Sequence, residues 1–97
     1  MNGKSEAVRV AINFDLSTKV LEDIFGKNNT SKPYSDIKHF LELNGFTHRQ
    51  YSGYVSVEPK TDTDIMLLCE KMNREFSWFG EAVQNKEIDV TEIGNVY

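Results

Sequence analysis

Residues 8–15, Val-Arg-Val-Ala-Ile-Asn-Phe-Asp, constrain the fold more than any other stretch. Val8, Val10, Ile12 and Phe14 take every second place, and Arg9, Ala11, Asn13 and Asp15 take the others. Period two is the signature of a strand buried on one face. Such a strand must lay its apolar face on another layer, so the rest of the chain has to supply one.

The spacing that follows predicts helices. Ser17 or Thr18 can cap a short helix through Phe25, and Gly26 ends it. A second helix is expected from about Pro33, a residue suited to a first turn, to Asn44, with Gly45 just past its end. Tyr34, Ile37, Phe40, Leu41 and Asn44 fall three and four residues apart and give it one apolar stripe. Residues 46–51 and 54–58 read as two short strands joined by a tight turn near Ser52-Gly53. From Asp62, Ile65, Leu68, Cys69, Met72 and Phe76 form another helical stripe, with Thr61 and Asp64 placed as a capping pair. Trp78-Phe79 follows where that helix ends. Residues 86–93, in which Ile88 and Val90 alternate with Glu87 and Asp89, are the last expected strand.

The order is β-α-β-β-α-β with the first helix interrupted at residues 26–32. That order predicts an α+β, ferredoxin-like sandwich: a four-stranded antiparallel sheet with helices on one face. With 97 residues and no linker or repeat, residues 1–97 are expected to form one domain, residues 1–7 being a disordered lead-in.

Composition excludes several classes. Apolar residues are 39% and charged residues 27%, which argues against wholesale disorder. No apolar run is long enough to span a membrane, and the polar start Met-Asn-Gly-Lys-Ser-Glu predicts no secretory signal. The single Cys69 can form neither an internal disulfide nor a zinc site, so the chain reads as cytoplasmic. The net charge of −4 runs against a strongly basic nucleic-acid binder, but the charge is unevenly distributed. Residues 1–54 carry seven Lys or Arg against six Asp or Glu; residues 55–97 carry four against nine. A surface that meets phosphate is therefore expected from the first half.

Asp15 is the sharpest candidate for chemistry. It closes the first strand, and if helices cover the apolar face, Asp15 and Asn13 project from the open one. A carboxylate there can bind a divalent metal or act as a general base in phosphodiester cleavage; equally, an Asp before a helix is a common cap. Ser52 and Tyr54 are expected on the polar face of the next strand, their hydroxyls serving as phosphate ligands or only as hairpin and surface groups. His48 is a candidate general base or an ordinary surface residue. Cys69 reads as a small core hydrophobe, and Trp78-Phe79 as core or dimer contacts before base-stacking groups. No Gly-rich phosphate loop, His/Cys metal cluster or G-x-S-x-G elbow occurs.

One set of short signatures resembles a known family. Phe14-Asp15-Leu16 with Thr18-Lys19, Tyr34, Asp36-Ile37-Lys38, Phe40-Leu41-Glu42, Gly45-Phe46, Gln50, Ser52, Tyr54 and Trp78-Phe79 occur in the order seen in virulence-associated protein D, VapD. The resemblance spans about residues 10–83. It implies a ferredoxin-like homodimer with endoribonuclease activity, often the toxin of a toxin–antitoxin pair. The small nuclease-like subunit of CRISPR adaptation is similar, with an aspartate at the end of its first strand facing its symmetry mate.

Carried over by position, that residue is Asp15, and Ser52 and Tyr54 fall on the family's Gly-Ser-x-Tyr hairpin. The implied mechanism has Asp15 of each protomer positioning a metal, a water or a ribose 2′-hydroxyl. Ser52 and Tyr54 would hold the scissile phosphate, and Lys19, Lys38 and Arg49 would supply positive charge. Whether a metal takes part stays open; two facing carboxylates would suit Mg²⁺. RNA, a second copy and an antitoxin protein are the partners implied, and no membrane is.

The chain also departs from the family pattern. Ser17 stands where a second acidic residue is usual, Tyr51 replaces the hairpin glycine, and Gln84 and Glu87 stand where basic residues commonly follow the Trp-Phe pair, leaving only Lys86. These departures support an alternative: a catalytically inactive VapD-like homodimer serving as an antitoxin-like or assembly module. An RNA binder that does not cut is a third reading. The tail, residues 94–97, could pair with another protomer's sheet edge or fray.

Overall fold

The computed structural model describes residues 7–49, 53–83 and 88–93. Its elements run β1 (Val10–Asn13), α1 (Thr18–Phe25), α2 (Ser31–Leu43), β2 (Phe46–His48), β3 (Tyr54–Ser56), α3 (Asp62–Glu75), α4 (Phe79–Ala82) and β4 (Asp89–Glu92). The strands form one antiparallel sheet in the order β2-β3-β1-β4. That is the α+β, ferredoxin-like arrangement expected from the element order, with β1 and β3 at its centre.

β1 alternates as its sequence requires. Val10 and Ile12 are buried, whereas Ala11 and Asn13 are half-buried. Val10 and Ile12 join Leu21, Ile37, Phe40, Leu41, Leu68 and Met72 in the core, so α1, α2 and α3 cover the same face of the sheet. One rung of the β1–β3 ladder is closed by a side chain: the Val10 N–H donates to Ser56 Oγ at 3.0 Å. This bond explains how Ser56 is tolerated in full burial.

The helix boundaries follow from local chemistry. Ser17 caps α1, its Oγ accepting from the Val20 N–H at 3.2 Å, and Gly26 ends the helix at φ 95°. α2 starts at Ser31, two residues before the expected Pro33. Pro33 therefore sits inside the first turn, where its missing N–H costs no helical bond, and it is fully buried. Tyr34 departs from the expected stripe and is exposed; Ile37, Phe40 and Leu41 carry it.

In α3, Thr61 and Asp64 form the expected reciprocal cap. Thr61 Oγ1 accepts from the Asp64 N–H at 3.1 Å, and the Asp64 carboxylate accepts from the Thr61 N–H at 2.8 Å. That backbone bond, with the Thr61 side chain and nearby Lys60 adding to it, holds the Asp64 carboxyl below the ordinary Asp range. Cys69 is half-buried and does not belong to the core cluster, and burial pushes its thiol up. The two middle strands are shorter than expected, and the last is exposed along its length. Among the described residues no helix is long and apolar enough to cross a membrane.

Candidate functional site

The register of the sheet brings three chain segments to one end. Ile12 pairs with Tyr54, and Tyr54 pairs with His48, so the exits of β1 and β2 meet the entry of β3. Asp15 lies just beyond β1, and Arg49 just beyond β2. The Arg49 N–H donates to the Gly53 carbonyl at 3.0 Å and closes the base of the hairpin. Ser52 and Tyr51 lie outside the described residues, as do Gln50, residues 1–6, Gln84, Lys86, Glu87 and the tail 94–97.

Gly53 makes this convergence possible. It has φ 94°, and a Cβ there would collide with the Asn13 carboxamide and come 3.1 Å from the Ile12 carbonyl oxygen. Only a residue without a side chain lets β3 approach the end of β1 so closely.

Asp15 is exposed, and its side chain makes no hydrogen bond or ion pair among the described residues. The capping role considered for it belongs to Ser17. Anchoring comes instead from Leu16, which is buried and bridges Val83, and from the Ser17 N–H, which donates to the Ala82 carbonyl at 2.7 Å. The backbone that presents Asp15 is thus held after it by Leu16 and Ser17 and before it by the pairing of Asn13 with Asp89, while the carboxylate stays in solvent.

Tyr54 departs from its expected place. Because it pairs with Ile12, its side chain lies on the helix-covered face rather than the polar one, and it is 7% exposed. Phe14 stacks on it, with centroids 6.1 Å apart and planes 12° apart, and His48 packs against it at 4.8 Å. Tyr54 makes no side-chain hydrogen bond among the described residues, yet none of their buried polar side-chain atoms lacks a partner. Burial raises the phenol above its ordinary value, and the Glu42 carboxylate of α2 raises it further. It is a neutral donor at ordinary pH.

The rings continue into the helical layer. Phe14 meets Phe79 edge-on at 5.3 Å, Phe79 meets Trp78 at 6.1 Å, and Trp78 meets Phe25 and Phe76 at 5.3 and 5.5 Å. Trp78-Phe79 is therefore a core contact, as expected, and forms part of a continuous aromatic row that backs the Asp15 end of the sheet.

The cations expected to bind substrate are scattered. Arg49 is exposed beside His48, Lys38 is exposed on α2, and Lys19 lies 3.8 Å from Asp23 in an exposed pair on α1. Among the described residues no three His, Cys, Asp or Glu side chains converge as a metal site would require. Asp15 alone does not make a divalent-cation site. Two features of the site were missed in the sequence, the His48–Tyr54 contact and the Gly53–Asn13 approach. The first follows once the hairpin register is known, and the second had a signal in the glycine itself.

Fold and site together define a small α+β protein with a solvent-facing carboxylate and a tyrosine hydroxyl at one aromatic-backed end of its sheet. Among curated proteins the chain is similar to Endoribonuclease VapD 2 of Riemerella anatipestifer. The two are 29% identical over 75 residues, which cover 77% of this chain and 80% of that protein. No protein-family model matches the chain.

Proposed function

We propose that the chain is an endoribonuclease of the VapD type, acting on RNA as a homodimer. The observation that carries this reading is the similarity to Endoribonuclease VapD 2, which extends over most of both chains. The Asp15 end of the sheet supports it, since an accessible carboxylate and a neutral hydroxyl donor are the two kinds of group that phosphodiester cleavage needs.

In this proposal Asp15 accepts or orients the proton of the attacking ribose 2′-hydroxyl or water. The Tyr54 hydroxyl, with Ser52, donates to the scissile phosphate. Arg49 is the nearest cation along the chain to that end of the sheet, and Lys19 and Lys38 contact the flanking backbone. A second protomer would bring its own Asp15 to the same cleft, and that pair is where Mg²⁺ would be held. Toxin function, with an antitoxin protein covering this surface, is the biological role that goes with such an enzyme.

Incubating the purified full chain with a fluorescent RNA, with and without EDTA, tests the reading. Cleavage that Tyr54→Phe slows supports it, and cleavage that EDTA abolishes assigns the metal. Intact RNA under both conditions contradicts it.

A second reading is favoured by Ser17. At the place where the family's second carboxylate is usual, its hydroxyl is spent on capping α1. A homodimeric module that has lost catalysis would bind its partner without cutting RNA in the same assay.

A further inference from the structure

A second cationic feature lies at the other end of the sheet. Phe46 opens β2, and Lys60 follows β3 and bridges Val8 ahead of β1, so this end is the one opposite His48 and Asp15. A groove of about 170 Å³ opens there between the end of α2 and α3, with Lys60 and Lys71 on its walls.

Lys71 has a neutral partner, and Lys60 lies over an aromatic ring with the Asp64 carboxylate also near it. Lys71 Nζ donates to Asn44 Oδ1 at 3.1 Å, and Asn44 is itself fixed by donating from Nδ2 to the Phe40 carbonyl at 2.7 Å. Lys60 Nζ lies 5.7 Å from the centre of the Phe46 ring. Gly45 leaves room for it, because a Cβ there would come within 3.2 Å of the ammonium. The groove's one carboxylate, Asp64, is engaged with the Thr61 backbone N–H. Among the described residues the ion pairs join Lys19 to Asp23 and Lys32 to Asp36, and neither groove lysine takes part in one.

Two lysines against one carboxylate leave the groove with a net positive charge. An ammonium has three donors, and Lys71 spends one. The complementary ligand is small, has several acceptor oxygens and carries close to two negative charges. A phosphomonoester fits that description.

We propose that this groove is a binding site for a phosphomonoester, distinct from the Asp15 end and independent of whether RNA is cut there. The phosphate could belong to a free small molecule or to the 5′ end of an RNA. NMR titration of the full chain distinguishes the sources. The probes are inorganic phosphate and a short 2′-O-methylated oligonucleotide that resists cleavage, with a 5′-phosphate or a 5′-hydroxyl. The expected result is saturable movement of the Gly45, Leu67 and Lys71 amide signals with inorganic phosphate. Preference for the phosphorylated oligonucleotide assigns an RNA end; equal behaviour of the two assigns a free phosphate ester.

Lys71→Met is expected to weaken phosphate binding about three- to fivefold, the range of one exposed ion pair. Asp64→Asn keeps an acceptor for the Thr61 N–H and removes the repelling charge, so it is expected to tighten binding by a similar factor, a gain that misfolding cannot imitate. Shifts that fail to saturate or that scatter to Lys27 and Lys38, or variants that bind as wild type does, would overturn the proposal.

Discussion

His48 lays its imidazole against the Tyr54 ring, with centroids 4.8 Å apart and planes inclined by 47°. An exposed residue of β2 thus covers a core residue of β3, and Phe14 stacks on the same ring. Tyr54 therefore has two separable jobs. Tyr54→Ala empties a packed position and is expected to cost about 3–5 kcal/mol in chemical denaturation, the usual range for aromatic truncation. Tyr54→Phe keeps the ring and is expected to cost less than about 1 kcal/mol, because the hydroxyl makes no hydrogen bond among the described residues. A large loss for Tyr54→Phe would mean that the hydroxyl is structural.

The same residue sets an alkaline limit. Its folded pKa is raised, first by burial and then by Glu42, so above the ordinary tyrosine value the unfolded chain loses the proton while the folded chain keeps it. Stability is expected to fall as pH rises from the unfolded value toward the folded one. Tyr54→Phe should flatten that fall, and Glu42→Gln should bring the phenolate absorbance change to lower pH. An unchanged alkaline profile in Tyr54→Phe would contradict this assignment.

Ser17 and Asp15 are two residues apart and carry opposite kinds of role. Ser17→Ala removes the α1 cap and is expected to cost about 1 kcal/mol. Asp15→Ala, at an exposed position without a partner among the described residues, is expected to change stability by no more than about 0.5 kcal/mol. Urea unfolding of the two variants measures both. The reverse order would show Asp15 to be the structural residue.

Much of this was legible before the structure, and the parts that were not share a cause. β1 could be read because only one of its faces is covered, so Val10 and Ile12 stand out from Ala11 and Asn13. The Thr61–Asp64 cap and the stop at Gly26 are local, and local chemistry is visible in sequence. β3 is central, and Tyr54, Val55 and Ser56 are all buried, so alternation carries no sign of which face Tyr54 takes. Only pairing with Ile12 decides it, and pairing is not local. Asp15 was expected to close the first strand, but β1 ends at Asn13 and Asp15 lies two residues beyond it, while the cap it could have supplied comes from Ser17.

Gly53 tests the convergence at the sheet end. Gly53→Ala forces a side chain into a left-handed backbone and against Asn13, and is expected to cost at least about 1–2 kcal/mol. Asn13→Gly in the same chain removes the collision but not the backbone strain, so thermal unfolding of the double variant should recover part of the loss. Full recovery, or none, would show that the close approach of β3 to β1 is not what the glycine serves.

The most direct measurement is the initial rate of RNA cleavage by the purified chain and by Asp15→Ala, compared after denaturation curves have shown the two to be equally stable. Wild type is expected to cut and the variant to lose at least about a hundredfold in rate, the lower range for removing a positioned acid–base group. Equal rates from the two proteins would contradict the assignment of Asp15 and with it the proposed site.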